Sequence, residues 1–560
     1  MTVVPFRRKR VGVFPRASFL SENRLLASVA QLYPVDFSPE DDISFDGMDA
    51  AVFFSDEKKL ASRAFEHGVS SFVFHRSSKT IALHPNASVC FSEHNILHPA
   101  FRSARIPLGR TSHAAELTAI EGDRTVASYD SLRLWLLRSN GRADLHTVAT
   151  ELPSLDGDRL LWQDLRPDGW FAPLPLLHFM RRLTLGVDWE AAPQHACFIF
   201  DDPNLHSVRY GYIDYARLAD HARAHKYHAG IATVPLDSWY ASPKAVEVFR
   251  KHGDNLSLLI HGNDHVKNEF GYDYQEGDAV RILAQAVRRV SRFEHGTGLE
   301  VNRVIAPPHG GCSDSVLAQA PRFAIEAVCT SVEPLARSQK RTILPFDFSL
   351  QPVWFGPGCC PVVRRWDLIY DLLPLRLGAF FNQPIVAYGH HQDCADGFSR
   401  LEKVAGAVNS WGEMNWTNLA TILRRSYRVK TDNDVMHVQM CSRHICVPVP
   451  EKVSHLVVHI PVESENILGP ITATSSDGQT RQCMPGIPVG ISSPGELRLR
   501  IPSRVVIDPA AVCRPAYRLW PALRRTIAMS RDRLMPIVRA FTSNKSAYDL
   551  THKQMSGLSR

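Results

Sequence analysis

Four times between residues 195 and 395 a short apolar run stops abruptly on polar or turn-forming residues, and no other feature constrains the chain as much. Cys197-Phe198-Ile199-Phe200 ends on Asp201-Asp202-Pro203-Asn204, and Leu256-Ser257-Leu258-Leu259-Ile260 ends on His261-Gly262-Asn263-Asp264-His265. Arg303-Val304-Ile305-Ala306 ends on Pro307-Pro308-His309-Gly310-Gly311, and Pro384-Ile385-Val386-Ala387-Tyr388 ends on Gly389-His390-His391-Gln392-Asp393. Apolar runs of this length, bounded by turn residues, are what strands buried on both faces look like. The intervening stretches Ile213–His225 and Ala279–Phe293 have helical periodicity. Alternating units of this kind predict an α/β fold with a central (β/α) barrel, which collects its active site at the C-terminal ends of its strands.

Each strand end carries a distinct chemistry. Adjacent acids can divide their roles: one ligates a divalent metal while its neighbour, turned the other way by the strand's period of two, faces the reacting water. Taken alone, Asp201-Asp202 would equally suit a helix cap or a solvated turn. His261 and His265 are four residues apart, and on a helical turn both imidazoles would reach one ion. Imidazole with carboxylate suits zinc in an open three-ligand site. The prolines and glycines around Pro308, His309 and Gly310 fix a backbone path able to aim an N–H at an anionic intermediate. The paired imidazoles His390 and His391 are placed to serve as a general acid at neutral pH.

At these residues the chain resembles the polysaccharide deacetylase superfamily, also called the NodB-homology or carbohydrate esterase family 4 group, whose motifs come in the same order over about 200 residues. The resemblance implies Asp201 as catalytic base and Asp202, His261 and His265 as metal ligands. It implies Zn²⁺, or another divalent metal such as Co²⁺, Ni²⁺ or Mn²⁺. The backbone N–H of His309 would help form an oxyanion hole, and His390 or His391 would be the general acid. Ala306 stands where the family has an arginine that braces the catalytic aspartate, so the brace is expected to be missing. His309 replaces a tyrosine and Pro203 a glycine. Asp367 lies in the interval of the family's fourth motif without a clear match.

The expected reaction is hydrolysis of an N-acyl group, N-acetyl foremost, on a carbohydrate or glycan precursor. Glycosidic cleavage on the same barrel by two carboxylates, and a catalytically inactive glycan- or envelope-binding protein, are the alternatives.

A chain of 560 residues exceeds one ordinary core, since domains run about 100–200 residues. Residues 1–105 alternate strand and helix signals and predict an α/β domain, and 106–185 a β-rich extension ending in a connecting helix around Trp170–Thr184. The deacetylase-like barrel is expected over 190–425. Short strands such as Val435–Cys441 and His444–Val449, with turn residues between them, predict a β-sandwich-like module over 426–515. The tail 516–560 reads as a basic amphipathic helix with Leu523, Ile527, Met529, Leu534 and Ile537 among arginines. Such a helix docks on the protein with its basic face in solvent, or makes peripheral contact with an anionic membrane or a protein partner.

The formal charge of +7 is spread along the chain and forms no basic block, so nucleic-acid binding is not implied. No run of about 18 apolar residues predicts a spanning helix, and no apolar leader segment follows the basic start. The eleven cysteines contain no CxxC pair, which signals neither a disulfide scaffold nor a structural zinc site. These features together predict a soluble, cytoplasmic protein.

Overall fold

The computed structural model describes residues 7–560 apart from 42–43, 55–56, 76–79, 86, 151, 154, 156–158, 332–349, 369–371, 461–468, 492–493, 503–504, 517–518 and 557–560, with backbone alone over 540–556. Its central element is a ten-stranded sheet. The strands are β1 (His195–Asp201), β2 (Ala229–Thr233), β3 (Leu256–Ile260), β4 (Val301–Ile305), β5 (Ala327–Thr330), β6 (Trp354–Gly356), β7 (Cys360–Arg364), β8 (Trp366–Asp367), β9 (Ile385–Gly389) and β10 (Asn415–Trp416). Their order is β6-β7-β5-β4-β3-β2-β1-β9-β8, with β10 beside β1. Every pair is parallel except β6 with β7.

The sheet curls, and its period of two sorts the side chains. Cys197 and Ile199 of β1 face an interior cluster with Ala232, Leu259, Val304, Cys329, Val363 and Val386, whose base is filled by Ile422 and Leu423. Phe198 and Phe200 face the outer helices instead. Two of these helices are α1 (Tyr215–Ala224), started by the Asp214 carboxylate on the Arg217 N–H, and α2 (Glu276–Thr297), ended by the left-handed Gly298. Helix α2 buries Ala279, Leu283, Ala286, Val287, Val290 and Phe293.

The expected barrel is thus a curled sheet, with no hydrogen-bonded ladder joining its two ends among the described residues. Closure is made by the chain itself, which passes from β7, second from one end of the strand order, to β8 at the other end through Arg365 alone. The Arg365 N–H donates to the Thr330 carbonyl at 3.0 Å on one side of the seam, and the Leu368 N–H to that of Tyr388 at 2.9 Å on the other.

Towards the N-terminus, nine strands form a second sheet. Lys9–Phe14, Val35–Pro39, Ala50–Phe53 and Ser70–Phe74 run parallel, and Asp144–Val148 joins the last of them, also in parallel. Antiparallel strands from 88–139 complete the sheet, which therefore continues across residues 105 and 106. Towards the C-terminus, a five-stranded and a four-stranded sheet enclose one apolar cluster that includes Met436, Val438, Ile445, Val447, Leu456 and Leu499. The strand Glu190–Ala191 pairs with Tyr427–Asp432 and ties this module to the start of the curled sheet. None of the eleven cysteines is in a disulfide, and the adjacent Cys359 and Cys360 are both buried.

From the four-stranded sheet the chain returns along α2, where Arg288 donates to the carbonyls of Pro509 at 2.6 Å and Val512 at 2.7 Å. It ends in helix α3 (Leu519–Ser556), which lies over the C-terminal ends of the central strands. The orientation of α3 meets the expectation of a solvated basic face only in part: Arg531, Arg533 and Arg539 are exposed, but Arg525 is buried. Pro521, Arg525 and Asp532 are turned inward, whereas Leu523, Ile527, Leu534 and Ile537 are each more than half exposed. Among the described residues no helix is long and apolar enough to cross a membrane.

Candidate active site

Register brings the site together before any side chain is considered. Asp201 pairs with Ala232, Ala232 with Leu259, and Ile260 with Ile305, so β1 to β4 end within a residue of one another. Their next residues share one rim, as parallel sheets require of sites built from strand ends. Asp201 continues the inward alternation of Cys197 and Ile199 and is buried at 3% exposure. Asp202 leaves the strand with φ of 85°, a region costly for a residue with a Cβ and found mostly where function over-determines the backbone. That turn separates the two carboxylates.

Asp202, His261 and His265 form one of two groups among the described residues whose donor atoms are close enough to share an ion, all lying within 4.8 Å of one another. His265 Nε2 stands 3.3 Å from Asp202 Oδ1, and the two imidazole centroids are 4.9 Å apart. His261 Nδ1 meets the Ala306 carbonyl at 2.8 Å. A carbonyl can only accept, so Nδ1 carries the proton and Nε2 is left as a ligand, the usual outer-shell arrangement of a metal-binding histidine. Burial pushes the His261 imidazole below its ordinary range, with Asp201 and Asp202 pulling it back up. Burial, and then His261, push His265 down to about 3. Neutral imidazoles beside a carboxylate are the forms that bind a divalent cation.

The two histidines converge for a reason other than a helical turn. Residues 261–265 are a loop, and His265 itself has φ of 55°. The loop is wound around the buried carboxylate of Glu269, which accepts from the N–H groups of Asn263 at 2.5 Å, His265 at 2.9 Å and Asp264 at 3.0 Å. Burial pushes the Glu269 carboxyl up, and those three N–H groups pull it back. Gly262 is required here, because its φ is 65° and an added Cβ would lie 2.2 Å from Glu269 Oε1. Arg289 of α2 holds the loop from outside through Asp264 at 2.5 Å and the Asn263 side chain at 2.7 Å. Glu269 lies outside any motif, and only its chain proximity to His265 hinted at a part in the site.

Asp201 does have an arginine brace. Arg365, 1% exposed at its side chain, donates from Nη1 to both carboxylate oxygens at 2.8 Å and from Nη2 to the Pro307 carbonyl at 3.1 Å. Its guanidinium carbon lies 4.2 Å from the Tyr388 ring centroid. The side chain expected from the position of Ala306 therefore comes from the seam between β7 and β8. A signal was available: Val362-Val363 is a fifth apolar run that ends on charge, at Arg364-Arg365.

The turn Pro308–Gly310 is tight, with His309 at φ 56° and Gly310 at φ 69°. Thr330 Oγ1 hydrogen-bonds the Gly310 carbonyl, and the His309 ring lies 5.9 Å from that of His265. The two histidines after β9 part company. His390 is exposed, its N–H on Asp393 Oδ2 at 2.8 Å, and its charge is among those felt by Asp202. His391 is buried at 1% exposure. It lies against Tyr210 and Tyr212, with Nε2 3.6 Å from Asp532 of α3. Its neighbours keep it out of the group around Asp202.

Helix α3 was not expected at the site at all. Arg525 donates to Asp202 Oδ1 at 2.8 Å, to the Asp202 carbonyl at 2.6 Å and to Asp237 Oδ2 at 2.7 Å. Burial alone would raise the Asp202 carboxyl, but Arg525, His261, His265 and His390 together hold it well below the usual carboxylate range. Arg524 reaches His265 Nδ1 at 3.2 Å. Asp532 accepts from the Tyr210 hydroxyl at 2.9 Å.

No family model matches the sequence, and no curated protein matches it. Solved structures do. Agd3, described as a novel carbohydrate deacetylase, matches over 87% of this chain and 99% of its own at 9% identity and TM-score 0.49. The family 4 carbohydrate esterase from Streptomyces lividans in complex with acetate matches over 40% of this chain and 93% of its own, at 11% identity and TM-score 0.27. The peptidoglycan deacetylase PdaC from Bacillus subtilis matches over 39% and 94%, at 17% identity and TM-score 0.19. These three are a carbohydrate deacetylase, a carbohydrate esterase and a peptidoglycan deacetylase, each less than 20% identical to this chain and at a TM-score below 0.5.

Proposed function

We propose that the chain is a divalent-metal-dependent hydrolase that removes an N-acyl group, N-acetyl foremost, from a carbohydrate or glycan precursor, with its catalytic unit within residues 190–425. The observation that carries this reading is the convergence of Asp202, His261 and His265 beside an Asp201 held by a buried arginine. The donor set fits the ion: one carboxylate and two imidazoles within reach of each other, with the His261 tautomer fixed by Ala306. A divalent ion bound there, Zn²⁺ or Co²⁺, Ni²⁺ or Mn²⁺, supplies Lewis acidity to the acyl carbonyl and lowers the pKa of water.

In this reading Asp201 is the general base. Arg365 fixes the plane of its carboxylate, so that it takes the proton of the attacking water without a rotamer search. The His309 N–H, held at the rim by Pro308 and Gly310, donates to the oxyanion of the tetrahedral intermediate. His390 gives a proton to the departing amine, while the buried His391 takes no part in the transfer. Arg365 also favours an enzyme over an inactive binding protein, because a binder has no use for a buried guanidinium that holds both oxygens of the base through one nitrogen. The exposed stripe on α3, with Arg531 and Arg533 beside it and its acid Asp532 turned inward, supports peripheral contact with an anionic membrane.

The test measures metal content together with acetate or formate release from a panel of N-acylated sugars. Asp201→Asn is expected to lower turnover by about 10²–10⁴-fold, the usual range for loss of a general base, while keeping the ion. His261→Ala is expected to lose the ion. Equal turnover in the wild type and both variants defeats the reading.

A further inference from the structure

The contacts of α3 fall on the metal-ligand group itself. Successive inward positions 521, 525, 529 and 532 are spaced four, four and three apart, so one face of the helix enters the groove at the strand ends. Arg525 is 4% exposed at its side chain and satisfies two carboxylates at once. Asn204, two residues beyond Asp202, donates to Met529 Sδ at 2.8 Å. Asp532 closes the row on Tyr210 at 2.9 Å. This is a built interface, and two of the three candidate ligands lie in it.

The chemistry of those contacts opposes an ion. A cation bound by Asp202 and a guanidinium on Asp202 Oδ1 would share one carboxylate at close range in a site largely shielded from water, where like charges repel strongly. Arg524 acts on the second ligand. A guanidinium can only donate, so His265 Nδ1 must accept from it at 3.2 Å. In the neutral ring the proton is then on Nε2, which faces Asp202 Oδ1 at 3.3 Å, and a protonated nitrogen has no lone pair to offer. His261, whose ring has no hydrogen bond to α3 among the described residues, has the opposite and metal-competent arrangement on the Ala306 carbonyl. Adjacent arginines thus disable one carboxylate and one imidazole and leave the third ligand alone.

We propose that α3 is an intramolecular antagonist of the metal site: docking of Arg524 and Arg525 and binding of a divalent cation by Asp202, His261 and His265 exclude each other, and loading the site displaces the helix. The proposal rests on the reading of those three residues as metal ligands. Docking that holds nine chains in ten closed weakens the apparent affinity about tenfold. Zn²⁺ affinity is measured by competition with a chromophoric chelator on the full chain, for the wild type, Arg524→Ala/Arg525→Ala, and that double variant with His261→Ala added. The double variant is expected to bind at least about tenfold more tightly than the wild type, and the triple variant to lose the gain. Equal affinity in the wild type and double variant, with loss in the triple variant, overturns the antagonism and leaves the metal site standing. Absence of tight binding in every protein, or binding indifferent to His261, overturns both. A second measurement needs no variant: hydrogen exchange of the wild type with and without Zn²⁺. Faster exchange of the amides of 519–536 on adding the ion is the expected result, and unchanged or slower exchange overturns the proposal.

Discussion

The two aspartates at the end of β1 are one residue apart and are held by opposite means. Asp201 is gripped from within the sheet: Arg365 comes from the seam that closes the curl, and the neighbouring His261 is anchored on the next strand end. Asp202 is gripped from outside, by an arginine on a helix 323 positions later in the chain. The first grip is part of the sheet's own closure and cannot be undone without opening it. The second is a docked surface element whose opposite face is apolar and exposed. In the proposed reading, the geometry of the general base is therefore built into the sheet, whereas the proposed ion-binding carboxylate answers to the position of one helix.

The largest effect is expected at Arg365. Arg365→Ala leaves the buried Asp201 carboxylate without its partner and is expected to cost about 3–5 kcal/mol of stability, as for other buried pairs that lose one member. Urea unfolding of Arg365→Ala and Arg525→Ala side by side tests this. A larger loss in Arg525→Ala than in Arg365→Ala would show that α3, and not the seam, is the structural member. Gly262→Ala is expected to be next, at about 2 kcal/mol or more, from the left-handed φ and the collision with Glu269. Lost ion binding with β3 still protected in hydrogen exchange would place the damage in the loop alone.

pH separates the two grips further. The folded His265 pKa of about 3 lies below its ordinary 6.5. The metal-free fold therefore holds the neutral ring, and stability present above pH 6.5 is lost as pH falls from there towards 3. The slope from this one group approaches about 1.4 kcal/mol per pH unit, and His265→Gln should remove it. Asp202 acts in a lower window. Its folded pKa is depressed below 3.8, so its contribution is present above that value and is lost as pH falls below it. Arg525→Ala should make the stability curve shallower there, while an unchanged curve would mean that Arg525 does not set the charge of Asp202. The smallest expected effect is on the outer face of α3, where Leu534→Ser/Ile537→Ser should weaken co-sedimentation with anionic vesicles and leave unfolding within about 0.5 kcal/mol of the wild type.

Much of this was legible in the sequence because the central strands are local, apolar and punctuated. The expected runs around Ile199, Leu259, Val304 and Val386 are all strands. Register alone then carries Asp201, Asp202 and His261 to one rim. The alternation of strand and helix expected over 1–105 is present for the same reason, in elements such as Asn23–Leu32, Ala50–Phe53 and Ser70–Phe74. What escaped depends on contacts distant in sequence. Arg365 meets Asp201 across 164 positions because a curled sheet brings its two ends together, and no local pattern encodes that meeting. The pair His261 and His265 was found on a mistaken premise. Four residues suggested a helical turn, whereas a carboxylate buried in the loop produces the same convergence with positive φ. For α3 the amphipathic pattern was visible, but pattern cannot tell which face docks. The polar face docks here, because the groove beneath it is lined with carboxylates.

Because α3 follows the strands it covers, synthesis itself gives order to the contest at the groove. Every proposed ion ligand, and the last long strand of the curl, is made by residue 389, and Arg525 follows 136 positions later. At about 5–20 residues per second, the interval is on the order of ten seconds. A nascent chain therefore carries every proposed ion ligand before its own Arg524 and Arg525 are made, so in the proposed contest dissolved cations have the earlier access to those side chains.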